Sequence, residues 1–247
     1  MTIRLLSLPG WPDGVLCGYT LRRDERGDDF NLAQHVGEDP DRVERNRQRL
    51  RSALPAGTRL AWLQQVHGTA VLEADSGATP EADALWTGEA GLACCVLTAD
   101  CLPVLLCTAD GTRVAAAHAG WRGLAAGVLE ATVAALNPGD QPCFAWLGPA
   151  IGPAVFEVGS EVRAAFLEGP GDGIAHCFTP SSRPGHYLAD LHALARLRLE
   201  RLGVRQISAI QACTYRDDEQ YFSYRRDRQT GRMASFVLRR NPPETLK

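Results

Sequence analysis

TADCLPVLLCTADGTRVAAAHAGWRG, residues 98–123, is the stretch whose reading decides the fold. Asp110-Gly111 sits between two apolar runs. Asp-Gly is a strong signal for a two-residue hairpin loop, because a type I′ turn needs φ > 0 at both central positions. With that loop, Ala109 pairs with Thr112 and Pro103 falls opposite His118. Cys101 lies two residues further out on the strand of Pro103. Side chains alternate faces along a strand, so Cys101, Pro103 and His118 share one face. Cys101 and His118 are then diagonal neighbours, with Cβ atoms within ~7–8 Å. A thiolate and an imidazole at that spacing can meet at one metal ion, since Zn–S is about 2.3 Å and Zn–N about 2.0–2.1 Å. A slip of one residue sends the two side chains to opposite faces, so the reading rests on the turn.

His67, in Gln64-Gln65-Val66-His67-Gly68, is the third candidate ligand. Three protein ligands leave a fourth position open, which is the pattern of a catalytic rather than a structural zinc site. Such a metal lowers the pKa of bound water towards ~7 or polarises a substrate. A thiolate with two imidazoles also suits copper. The plain alternative for each residue is a core cysteine or a hydrogen-bonded histidine. The hairpin geometry argues against it for Cys101 and His118, while His67 rests on completing the set. Two further readings stay open. One is a metal-free hydrolase with Cys101 as nucleophile and His118 as base. The other is a non-enzymatic role in which a metal stabilises the fold or an interface.

After His118 the chain continues Ala119-Gly120-Trp121-Arg122-Gly123. Glycines before a helix N-terminus let backbone N–H groups approach an anion, and Arg122 adds a guanidinium fork suited to phosphate. Near the C-terminus, Tyr215, Tyr221, Tyr224, Arg225, Arg226 and Arg232 concentrate aromatic and guanidinium groups that can stack a base and hold a phosphate. Asp83 or Asp100 is the candidate proton shuttle if the chain is an enzyme of this kind, and the sequence does not rank them.

Composition narrows the classes. A chain of 247 residues with 45% apolar content and a net charge of −3 has no nucleic-acid or membrane signature. Lys247 is the single lysine, which argues against Schiff-base and P-loop chemistry. No GxGxxG, GxxxxGK[ST], HExxH or GxSxG occurs. No secretory signal or transmembrane run is expected, and seven of the eight cysteines are expected as reduced core residues of a cytoplasmic protein.

The pattern predicts an α+β fold, a single layered domain over residues 1–247 with mixed β-sheets flanked by helices and the metal site at a hairpin mouth. Strands are expected at 3–8, 14–20, 59–66 (delivering His67), 70–74, 83–86 (an edge), 92–97 (buried on both faces), 143–147 and 206–213, with a final strand pair at 222–224 and 233–238. Helices are expected from Asp39 to about Ala53, and at 124–136, 160–167 and 187–202. Residues 168–184 read as a Gly/Pro-rich surface excursion.

Several motifs together resemble the laccase-domain family, once called multicopper polyphenol oxidases and treated as purine nucleoside phosphorylases. They are Asn31-Leu32, His35-Val36-Gly37, Gln65-Val66-His67-Gly68, Asp83-Ala84, Thr98-Ala99-Asp100-Cys101, His118 to Gly123, Gly148 to Gly152, Cys213-Thr214-Tyr215 and Ser223 to Asp227. The resemblance implies zinc on His67, Cys101 and His118. It implies phosphorolysis of adenosine, inosine, guanosine and methylthioadenosine, with adenosine deamination beside it. On that basis Arg122, Arg225, Arg226 and Asn31 are the expected substrate-binding residues. The expected partners are a purine nucleoside and phosphate, and a monomer or small homo-oligomer is expected. Six histidines with no HxH pair do not suffice for the several copper sites of a true laccase, though a single copper or a copper-dependent polyphenol oxidation remains an alternative.

Overall fold

A computed structural model describes residues 2–168 and 173–241. Residues 169–172 of the expected Gly/Pro-rich excursion, and Lys247, lie outside the described residues. The strands are β1 (Ile3–Leu6), β2 (Val15–Thr20), β3 (Arg59–Ala61), β4 (Val71–Glu73), β5 (Ala84–Thr87), β6 (Leu92–Thr98), β7 (Leu102–Thr108), β8 (Val114–Ala119), β9 (Cys143–Leu147), β10 (Glu157–Gly159), β11 (Phe178–Pro180), β12 (His186–Ala189), β13 (Gln206–Ala209) and β14 (Met233–Arg239). The helices are α1 (Pro40–Ser52), α2 (Trp121–Ala126), α3 (Val128–Leu136), α4 (Ser160–Leu167), α5 (Leu191–Arg201) and α6 (Tyr224–Asp227).

Two mixed sheets stack face to face. One runs β1-β2-β14-β6-β3 and the other β13-β9-β7-β8-β5-β4, and a small sheet β10-β12-β11 stands apart. Three apolar clusters define the layers. Val15, Cys17, Cys94, Val96, Leu105, Cys107, Ala116 and Trp146 fill the space between the large sheets. Val104, Leu106, Ala115, Ala117, Leu129 and Leu194 pack the outer face of the six-stranded sheet against α3 and α5. Phe30, Leu50, Ala93, Cys95 and Phe236 pack the five-stranded sheet against α1. The result is an α+β sandwich with helices outside both sheets. Strand β6 is buried at every position, because the intersheet core covers one face and α1 the other.

The hairpin has the expected register: Pro103 pairs with His118 and Cys107 with Val114. Its loop differs. Only Gly111 has positive φ, at 66°. Thr108 N–H donates to Arg113 O, so four residues make the turn. The Asp110 carboxylate accepts from Thr108 Oγ1, Thr112 N–H and Thr112 Oγ1. Lengthening the loop symmetrically by one residue on each side leaves the pairing unchanged.

Other expectations shift for identifiable reasons. Strand β3 stops at Ala61, so His67 does not end a strand. Strand β5 lies between β4 and β8, leaving β4 as the edge. The helix expected at 124–136 starts at Trp121 and breaks at Gly127, where φ is 104°. The expected helix at 187–202 loses its start to β12, and Asp190 caps α5 by accepting from Ala193 N–H. The strand expected at 222–224 does not form, and Tyr224–Asp227 make one helical turn instead, with Ser223 accepting from Arg226 N–H as its N-cap. Strand β14 therefore pairs with β2 and β6 in the sheet interior.

Candidate metal centre and cavity

The strand alternation that buries Leu105 and Cys107 opposite Val114 and Ala116 continues outward to Pro103 and His118. Where the intersheet core runs out, Cys101 and His118 take over. His67 reaches them from the loop between β3 and β4. Cys101 Sγ and one ring nitrogen of each histidine all lie within 4.8 Å of one another. Sγ is 3.8 Å from His67 Nε2. A tetrahedral zinc spaces a sulfur and a nitrogen ligand by ~3.5 Å at ordinary bond lengths, so donor chemistry and spacing both fit a metal ion. His118 is buried, Cys101 half-buried and His67 exposed, which leaves one side of the triangle open.

The surroundings hold this triangle in place. His67 adopts a left-handed φ of 63°, which costs ~1–2 kcal/mol for a non-glycine residue. Its loop is pinned by Asp83, which accepts from the N–H groups of His67 (2.9 Å) and Gly68 (2.6 Å). Asp83 also accepts from His118 Nδ1 at 2.8 Å. Gln65 takes over the ladder that β3 abandons: its amide both donates to Leu97 O and accepts from Leu97 N–H, each at 2.7 Å. A Cβ on Gly120 would come within 2.9 Å of His67 Cδ2 and 3.0 Å of Cys101 Sγ, and one on Gly123 within 2.7 Å of Gly68 O. These glycines therefore admit the ligand cluster rather than an anion. Helix α2, which they open, is six residues long.

Electrostatics single out the same residues. Burial would raise the Cys101 thiol, but the His118 imidazole, with His67 beside it, outweighs burial and lowers it to about 6. Burial would lower His118, but the Cys101 thiolate and the Asp83 carboxylate raise it to about 9. Burial also opposes ionisation of Asp83; the His118 and Gly68 bonds overcome it and hold the carboxyl below its ordinary value.

The triangle opens into a cavity of about 820 Å³. Trp121 and Arg122 line one side, with the Arg122 guanidinium 4.4 Å from the Trp121 ring centroid. The small sheet supplies Glu157 and His186. The C-terminal segment supplies Tyr224, Arg225, Arg228 and Arg232. Arg225 is fixed by donation to Glu157 O at 3.0 Å and by the Phe156 ring.

Of the expected substrate-binding residues, Arg122 and Arg225 line this cavity and the other two do not. Arg226 donates to Thr214 O, Tyr215 O and Tyr221 O and pairs with Asp227. Asn31 is fully buried; its amide closes its own loop through Ala33 and accepts from Arg232 N–H. Both residues shape the C-terminal wall. Neither candidate proton-transfer carboxylate is free. Asp83 is committed as described, and Asp100 accepts from Thr214 Oγ1 and Arg225 N–H, each at 2.6 Å. Sequence reasoning missed the amide role of Gln65 and the cavity positions of His35, Glu161, Arg183 and His186. These residues come from separate segments that only tertiary packing joins, so no local spacing announces them.

Fold and site together define a two-sheet α+β protein with a thiolate–imidazole site of metal-binding type at the mouth of its core. The family model described as multi-copper polyphenol oxidoreductase laccase matches residues 22–240, and the chain belongs to that family. A protein of Pseudomonas aeruginosa named purine nucleoside phosphorylase is 53% identical over 211 residues, covering 85% of this chain and 86% of that one. A purine nucleoside phosphorylase of Escherichia coli K12 is 50% identical over 212 residues, with 85% and 86% covered. A crystal structure of a Neisseria meningitidis protein superposes with a TM-score of 0.89 at 42% identity, over 98% of this chain and all of that one. Among the described residues no helix is long and apolar enough to cross a membrane.

Proposed function

We propose that the chain, acting as one domain over residues 1–247, is a zinc-dependent purine nucleoside phosphorylase. It takes adenosine, inosine, guanosine or methylthioadenosine with phosphate, releases the free base and the corresponding ribose 1-phosphate, and also deaminates adenosine. The observation that carries this reading is a three-donor set opening into a cavity lined by arginines. The names of relatives at 50% and 53% identity support it. His67, Cys101 and His118 hold the zinc, which supplies Lewis acidity and activation of water when bound. Arg122 and Arg225 hold phosphate while one of its oxygens forms the bond to C1′ and the C1′–N9 bond breaks, the departing base taking up the proton that hydrogen phosphate gives up. The aromatic face of Tyr224, half exposed in the cavity, suits stacking of the base. Eight free thiols support a reducing, cytoplasmic setting. In the same reading the chain works as a monomer or small homo-oligomer.

One observation favours a second reading. Cys101, His118 and Asp83 line up as nucleophile, base and orienting carboxylate, the arrangement of a metal-free thiol hydrolase. Against it, His67 Nε2 also stands 3.8 Å from the thiol, a third donor that a nucleophile, base and carboxylate arrangement does not use. Metal analysis of purified protein separates the readings, combined with chromatography of adenosine incubated with and without phosphate. Stoichiometric zinc, phosphate-dependent adenine and phosphate-independent inosine are expected. Absence of both products from zinc-loaded protein defeats the phosphorylase reading, and stoichiometric copper in place of zinc defeats the choice of metal.

A further inference from the structure

Two of the three donors, His67 in the loop after β3 and His118 near the end of β8, lie far apart in sequence, yet both hang on one side chain. Asp83 lies just before β5 and is fully buried. Its Oδ1 accepts from His67 N–H and from His118 Nδ1. Its Oδ2 accepts from Gly68 N–H at 2.6 Å and Val66 N–H at 3.3 Å. Its backbone is held as well: Asp83 O accepts from His118 N–H at 2.7 Å, and Asp83 N–H donates to Ala70 O at 3.1 Å.

We propose that Asp83 is the positioning residue of the metal site, its single carboxylate setting both the left-handed turn at His67 and the ring direction and tautomer of His118. The inference rests on the metal-site part of the proposed function and needs no particular substrate. A carboxylate oxygen only accepts, so when the His118 ring gives up one proton to take a metal, the proton it keeps sits on Nδ1 and the Nε2 lone pair faces the donor triangle. The same carboxylate takes three successive backbone N–H groups, and that holds His67 in its strained turn. Both tasks require acceptors on both oxygens.

An amide cannot supply that. In Asp83→Asn, one orientation turns the new NH₂ towards the N–H groups of Gly68 and Val66, two donors facing a donor. The other turns NH₂ towards His118 Nδ1, which can then accept only by carrying its proton on Nε2, the atom required for the metal. Each orientation disables one ligand while preserving volume.

The test compares full-length wild type and D83N by Zn²⁺ competition against a chromophoric chelator, by the visible spectrum after Co²⁺ substitution, and by melting in chelator. Losing a carboxylate behind a metal-ligating histidine typically costs ~10–100-fold in metal affinity, and that drop is expected here, with a weakened thiolate-to-cobalt band. D83N that melts lower but binds zinc within about twofold of wild type with an unchanged cobalt spectrum would show mere structural support and overturn the proposal. ¹⁵N-histidine NMR of zinc-loaded wild type is independent of how D83N folds. Zinc on Nε2 and a proton on Nδ1 of His118 are expected, and zinc on Nδ1 overturns the proposal. A wild type that takes up no zinc overturns the metal reading and this inference together. Equal binding by both proteins overturns this inference alone.

Discussion

Cys107 lies near one end of β7 and Cys101 just beyond the other, six residues apart on the same face of one hairpin. Cys107 faces the intersheet core, where burial, with Cys17 and Cys143 nearby, pushes its thiol well above the ordinary range. Cys101 is also drawn out of water, yet it is lowered to about 6 because two imidazoles face it. Burial keeps one thiol protonated and inert, and partners favour the thiolate of the other, the form a metal ion takes. The same strand alternation delivers both, and what changes along it is only which groups lie across the gap.

The largest effect that tests this contrast is loss of the ligand itself. Cys101→Ser should leave the fold intact and cut phosphorolysis by more than the ~10–100-fold typical of an outer-sphere change, with zinc content falling below one per chain by elemental analysis. Retained zinc and turnover would erase the distinction between the two cysteines.

Next in size is the cavity side. Arg225→Gln removes a guanidinium anchored on Glu157 O and Phe156. It should raise the KM for phosphate by ~10-fold or more, as expected for loss of a charge-assisted contact worth about 1.5–3 kcal/mol, while zinc content stays at the wild-type level. Initial rates at varied phosphate measure this.

Gly120→Ala addresses the space around the cluster. The new Cβ must displace His67 or Cys101, so chelator competition should show zinc affinity down by roughly tenfold, the low end of the outer-sphere range. The same measurement on Gly77→Ala, where the added Cβ meets only the Asp75 side chain, should show no change.

Alkylation compares the thiols directly. In chelator-treated protein, iodoacetamide at pH 7 should modify Cys101 ahead of Cys94, Cys95 and Cys107, read by peptide mass, and added zinc should protect it. The depressed thiol pKa stabilises the metal-free fold fully above the unfolded value near 9, and this contribution is lost as pH falls towards about 6. The Cys101 rate should therefore fall off only near pH 6. Faster labelling of Cys107 would invert the comparison.

The smallest effect belongs to the inert partner. Cys107→Ala leaves a small cavity between the sheets and should lower unfolding free energy by about 1–2 kcal/mol in urea, with kcat and zinc content unchanged.

The hairpin shows how far local sequence reaches. The register of Pro103 against His118 followed from Asp110-Gly111 even though the turn is longer than a type I′ loop, because a symmetric change in loop length preserves the pairing. The arginines of the C-terminal run were legible as a group but not in their roles. Arg225 and Arg226 are adjacent, and one faces the cavity while the other is consumed by three carbonyls and Asp227. The strand expected through residue 66 failed because Gln65 satisfies Leu97 with its side chain instead of its backbone. That substitution carries no periodicity to read.

By itself the sequence determined the α+β class, the strand buried on both faces, the α1 cap at Asp39 and the face shared by Cys101 and His118. Each follows from alternation, capping or turn chemistry, which act over a few residues. Tertiary structure alone decided that Asp83 would join His67 to His118, that Gly120 would make room for the donors, and which arginines would reach the cavity. Those outcomes depend on where separate segments meet once two sheets have stacked, and a buried polar group takes whatever partner that packing brings within reach.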